Sequence, residues 1–180
     1  MAPTRRAFEG PCRTPRGVKG RKQREAYLVA DAATYLFDQG FEVLTEVPIG
    51  VGRLDAVTVD THEVLLLEAK IYGHGSTGRA AVKPGLAQLM DYARRSKESP
   101  GDIIPTLLVF RLSETPIEVP SVVKVGDYSF LIVHIDLASS AESGRRAPPA
   151  NVLTAEQVTR LVTTARPGRI RKALPSRRRG

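Results

Sequence analysis

Two carboxylates and a lysine lie close together in this chain: Asp55, then Glu68 and Lys70 thirteen and fifteen residues further on. Carboxylates are hard oxygen ligands. Mg²⁺ takes one or two of them and fills its other positions with water and substrate phosphate. A lysine beside such a site can orient or deprotonate an attacking water, or neutralise charge on a phosphate. Glu68 and Lys70 are two apart, so on a strand they share one face. They end the apolar run Val64 to Leu67, where a charge is costly unless paired or holding a metal. Asp55 reaches them if a hairpin register allows. The alternative is a solvent-exposed salt bridge among ordinary surface residues, since short charge patterns recur by chance.

The elements around these residues follow from pattern. Gly52 to Asp60 and Glu63 to Lys70 are rich in Val, Leu and Thr, and the polar Asp60-Thr61-His62-Glu63 break between them is short enough for a hairpin. Before them, Arg21 to Gln39 carries Leu28, Ala32, Tyr35 and Leu36 at helical spacing, with Gly40 as a stop. Glu25 falls on the Leu28 face of that helix, at its inward side, or is a solvated first-turn glutamate. Phe41 to Val47 is a strand closed by Pro48. Gly50 and Gly52 permit a close turn; without a following Gly-Lys-Ser/Thr and helix they are not a phosphate loop.

After Lys70, Gly73 to Arg79 is a Gly-rich loop from which His74 and Arg79 could touch substrate. Val82 to Lys97 is a helix, with Pro84 in its first turn and a core stripe of Leu86, Leu89, Met90 and Ala93. Gln88, Tyr92 and Arg95 form a second, polar stripe, directed at a neighbouring site or simply at the helix boundary. Strands at Ile104 to Leu112 and Tyr128 to Leu137 flank a loop, Ser113 to Gly126, with room for a short extra strand. Asp127, His134 and Asp136 have no partner pattern, and His134 reads as a core or edge histidine. Ser139 to Pro149 is a linker. Thr154 to Ala165 is a helix with Thr154 as N-cap and Glu156 near its start. The order is α-β-β-β-α-β-β-α, a mixed sheet with helices against it.

The 180 residues suffice for one core. No run reaches the eighteen or so apolar residues of a membrane helix, and no apolar segment follows the N-terminal arginines as a secretory signal would require. The single cysteine, Cys12, excludes an intrachain disulfide and a Cys-rich zinc site. A cytoplasmic protein without a membrane partner is the expectation. The net charge of +8 is uneven: residues 1–24 carry eight Lys/Arg and one acid, residues 166–180 carry seven Lys/Arg and none, and the middle is net acidic. Basic arms on an acidic-centred domain suit a polyanion, the arms meeting phosphate while the carboxylates hold metal. Basic tails that serve only solubility are the alternative.

With these residues in place, the chain resembles the PD-(D/E)XK nuclease superfamily, whose core is a helix, a three-strand meander, a helix and a further strand. The resemblance rests on Asp55 in Gly52-Arg53-Leu54-Asp55, on Glu68-Ala69-Lys70, and on Gln88-Leu89-Met90-Asp91-Tyr92. That last run is similar to the Gln-x-x-x-Tyr element of the branch holding the nuclease domains of bacterial recombination helicases. Glu25 resembles the helical acid of that branch and of archaeal Holliday-junction resolvases. The resemblance covers about residues 21 to 112. Leu54 stands where the nominal proline would be, and the absence of a cysteine cluster argues against the iron–sulfur subset.

The resemblance implies a restriction-endonuclease-like α/β fold and Mg²⁺-dependent hydrolysis of a phosphodiester by in-line attack of water, with Mn²⁺ as a substitute ion. Asp55, Glu68 and the Ala69 carbonyl would hold the metal and Lys70 would act on the water. Glu25 would bind or orient a metal through water. Gln88 would orient the site or contact the polymer backbone, with Tyr92 supporting it. Tyr92, Arg95, Arg79 and Arg53 are the candidates for nucleic-acid contact. The expected function is a DNA endonuclease in restriction, repair, recombination or a mobile element; the alternative is a non-catalytic nucleic-acid-binding protein on the same fold. A resolvase would need a symmetric homodimer, and any helicase, ATPase or recombination partner would be a separate chain. The expected organisation is a basic arm at 1–20, an α/β domain at 21–138, a linker and helix at 139–165, and a basic tail at 166–180.

Overall fold

The computed structural model describes residues 20–49, 52–59, 63–73, 77–96, 101–137 and 149–164. Both basic ends, Cys12, His74, the 60–62 turn and most of the 139–149 linker lie outside them.

Helix α1 (Arg21–Asp38) leads into a meander of β1 (Glu42–Ile49), β2 (Gly52–Val59) and β3 (Val64–Tyr72). Helix α2 (Gly78–Arg95) then carries the chain to β4 (Ile103–Arg111). The short β5 (Ile117–Glu118) and β6 (Val122–Val125) precede β7 (Tyr128–Asp136). The last elements are β8 (Asn151–Val152) and α3 (Ala155–Thr163). Six strands form one mixed sheet in the order β1-β2-β3-β4-β7-β6, and β5 pairs with β8. β3–β4 and β4–β7 are parallel, while β1–β2, β2–β3 and β6–β7 are antiparallel. The fold is α/β with a mixed central sheet.

Each face of the sheet buries its own apolar layer. One gathers Leu54, Leu66, Leu86, Leu89, Leu107, Phe130, Val158 and Val162 under α2 and α3. The other gathers Leu28, Leu67, Ala69, Ile71 and Phe110 under α1. Consecutive residues Leu66 and Leu67 belong to opposite layers, so β3 is covered on both faces. Its continuous apolar run follows from that, as in parallel sheets generally.

Several boundaries differ from the sequence expectation. β1 continues through Pro48 to Ile49, because β1 is an edge strand, where proline is tolerated. α2 begins at Gly78 rather than Val82, because the Thr77 hydroxyl caps it by accepting from Ala80 N at 3.1 Å. The 113–126 loop holds two strands. α3, expected beyond the domain with the linker, is part of the main core: Leu153, Val158 and Val162 pack in the α2-side layer. A reciprocal capping box between Thr154 and Gln157 starts it.

Candidate active site

The β2–β3 ladder is short. Ala56 pairs with Leu67 and Val57 with Leu66, and beyond them side chains take over. Toward the hairpin, Thr58 Oγ1 accepts from Leu65 N at 3.1 Å. At the other end, one step further places Asp55 opposite Glu68, and Asp55 Oδ2 accepts from Ala69 N at 2.8 Å. The two strands part here, and the Asp55 carboxylate fills the gap. Opposite this point on β1, Glu46 has a positive φ of 55°, a local twist at the site's edge. Asp55 also lines a narrow crevice with Val29, Ala33 and Leu36 of α1.

Glu68 and Lys70 share a face, as period two requires. Lys70 Nζ donates to Glu68 Oε1 at 2.6 Å, to the Ala69 carbonyl at 2.9 Å and to Glu25 Oε1 at 3.4 Å. Glu68 is buried, with 2% of its side chain exposed, and its Oε2 has no hydrogen-bond partner among the described residues. Two carboxylates, Glu68 and Glu25, contact the one ammonium, and the Asp55 charge also acts on it. Burial pushes the Glu68 carboxyl up to about 7; Lys70 opposes this, and the charges of Asp55 and Glu25 add to it. Lys70 responds differently. Burial alone would lower it, but Glu68, then Glu25 and Asp55, outweigh that and hold the ammonium above its ordinary value. At neutral pH Lys70 stays charged while Glu68 is poised between forms.

α2 braces this cluster at two glycine contacts. A Cβ on Gly85 would lie 2.4 Å from Leu107 Cδ1 and 3.0 Å from Lys70 Cγ, so the missing side chain is what lets the Lys70 stem pass. A Cβ on Gly52 would lie 2.8 Å from the Tyr92 hydroxyl. That hydroxyl donates to the Arg53 carbonyl at 2.6 Å, tying α2 to β2 two residues before Asp55. Gln88 hydrogen-bonds the Tyr92 side chain. Burial, then the Glu68 charge, pushes the phenol up.

Of the sequence-predicted residues, Asp55, Glu68, Ala69, Lys70 and Glu25 therefore converge, with Gln88 and Tyr92 beside them. Tyr92, also expected to contact nucleic acid, is buried with 5% exposure and acts as a strut. Arg53, Arg79 and Arg95 are exposed. Arg53 pairs with Glu46 at 2.8 Å and Arg95 with Asp91 at 3.0 Å. His134 and Asp136 lie on β7, where Asp136 pairs with Arg111 of β4. The supporting roles of Gly52, Gly85 and Thr58 were missed by sequence reasoning. Only the close-turn reading of Gly52 pointed toward one.

Among the described residues no three His, Cys, Asp or Glu side chains are grouped as a metal cage. The donor set is smaller: two carboxylates, Asp55 and Glu68, and the Ala69 carbonyl. That suits Mg²⁺, which keeps several waters. The orphaned Glu68 Oε2 and the excess of carboxylate over ammonium are what a divalent cation would satisfy. The residues fit such an ion. Among the described residues no helix is long and apolar enough to cross a membrane. No protein-family model matches the chain, and no curated protein matches it.

Proposed function

We propose that this protein is a metal-dependent nuclease with a restriction-endonuclease-like core, acting first of all on DNA. The observation that carries the reading is the meeting of Asp55, Glu68, Ala69 O and Lys70 where β2 leaves β3, with a buried Glu68 oxygen that has no partner among the described residues. Asp55, Glu68 and the Ala69 carbonyl would hold Mg²⁺ or Mn²⁺. A bound ion would supply Lewis acidity and a water of lowered pKa. The chain's own groups do the rest. Lys70, held charged, orients the water or offsets phosphate charge. Tyr92 fixes the backbone that carries Asp55, and Gln88 fixes Tyr92. The basic ends would meet the polymer backbone in a salt-dependent manner.

The competing reading is a nucleic-acid-binding protein without catalysis. It is favoured by Lys70 already filling the space among the oxygens, as in a self-contained ion-pair cluster.

Cleavage of supercoiled plasmid, linear duplex, single strand, a four-way junction and a structured RNA separates the two. Each is assayed with Mg²⁺, with Mn²⁺ and with chelator, wild type beside Lys70→Ala. Metal-dependent cutting that disappears in the variant is the expected result. Tight binding with no cutting under any condition would select the binding protein.

A further inference from the structure

We propose that Glu25 is the second seat of the Lys70 ammonium, which leaves Glu68 and the Ala69 carbonyl when a divalent ion binds there. The inference rests on the metal-dependent reading above and assigns Glu25 a part other than ligand.

Two of the three oxygens that Lys70 Nζ contacts, Glu68 Oε1 and Ala69 O, belong to the metal's donor set. A divalent ion and an ammonium cannot share those oxygens in one place, because like charges repel strongly at low dielectric. The ammonium must therefore yield. Its root cannot go far: Lys70 Cγ is lodged against α2 at Gly85, so only the outer bonds of the side chain are free to swing. The remaining acceptor is Glu25 Oε1, at 3.4 Å the longest of the three contacts and so the one with room to shorten. Glu25 is also the more open carboxylate, with 21% of its side chain exposed against 2% for Glu68. Keeping Lys70 in the site has a charge rationale as well. Glu25, Asp55 and Glu68 together balance one divalent ion plus one ammonium.

The test is a double-mutant cycle read by calorimetric titration of Mn²⁺ and Mg²⁺ alone into the full chain. The proteins are wild type, Glu25→Gln, Lys70→Met and the double variant, with Lys70→Gln in reserve should the methionine variant not fold. Glu25→Gln is expected to weaken divalent binding in the wild-type background. The loss should shrink by about fivefold or more once Lys70 is neutral, within the ordinary range of coupling between sites. Equal losses in the two backgrounds would mean that Glu25 acts on the ion itself, and would overturn the proposal while leaving the metal site intact. No loss in the wild-type background would overturn it equally. Absence of divalent binding by wild type would overturn the metal reading together with this one.

Discussion

Asp55 Oδ2 accepts the Ala69 N–H at 2.8 Å, so an acid proposed for chemistry also completes the backbone pairing of the sheet. The two roles separate by substitution. Asp55→Asn keeps an oxygen for the Ala69 N–H and removes the charge. Asp55→Ala leaves that N–H without a partner beside a residue only 1% exposed. Urea unfolding should show Asp55→Ala destabilised by about 1–3 kcal/mol and Asp55→Asn by less. Divalent-dependent cleavage should be lost in both. Equal stabilities would show that the side chain does not hold the ladder.

The Tyr92–Gly52 contact fixes where β2 begins. Tyr92→Phe removes the hydrogen bond to the Arg53 carbonyl and should cost about 1 kcal/mol. Gly52→Ala drives a methyl group into the Tyr92 hydroxyl and should cost about 1–3 kcal/mol by overpacking. Both displace Asp55 without touching a polymer. The expected kinetic signature is a fall in kcat with KM for DNA nearly unchanged. A pure KM effect would place Tyr92 at the nucleic acid instead.

Glu68 should make the metal-free protein sensitive to pH. Its folded value is about 7 against 4.5 for the free side chain, so folding favours the protonated form. The stability from this group is fully present below 4.5 and is lost as pH rises through about 7, a change of up to about 3 kcal/mol. Thermal or urea melts in chelator between acid and neutral pH should show the decline. Glu68→Gln should remove this step from the profile, and a variant declining just as steeply would assign the slope to another group.

The C-terminal helix should prove essential to folding. Leu153, Val158, Leu161 and Val162 are all buried, and exposing each costs about 1.5 kcal/mol or more. Their sum is comparable with the whole stability of a small domain, about 5–15 kcal/mol. A chain ending at residue 138 should therefore lack a cooperative thermal transition by circular dichroism. A normal melt would restore the 21–138 boundary expected from sequence.

The centre of the site was legible because its geometry is local. Period two sets Glu68 and Lys70 on one face, and a short hairpin brings Asp55 opposite. Glu25 was legible as an inward acid at the start of a helix. What escaped is tertiary. Gly85 looks like any helical glycine until Lys70 is seen lying across it, and the Gln88–Tyr92 stripe reads equally as site-directed or as boundary until the Tyr92 hydroxyl reaches the Arg53 carbonyl. Thr77 lies in a Gly-rich stretch, so the sequence pattern starts α2 four residues late. The docking of α3 into the core is not legible because linker composition does not reveal where the next helix packs.

The parallel pairing of β3 with β4 also dictates an order of assembly. Asp55 and Glu68 meet through a hairpin, a local contact that closes quickly. Lys70 is registered against Val109 only after the chain has crossed over through α2, and such long-range pairing is slow because the loop entropy must be met first. A nascent chain thus displays its two acids early and acquires its lysine's lodging late.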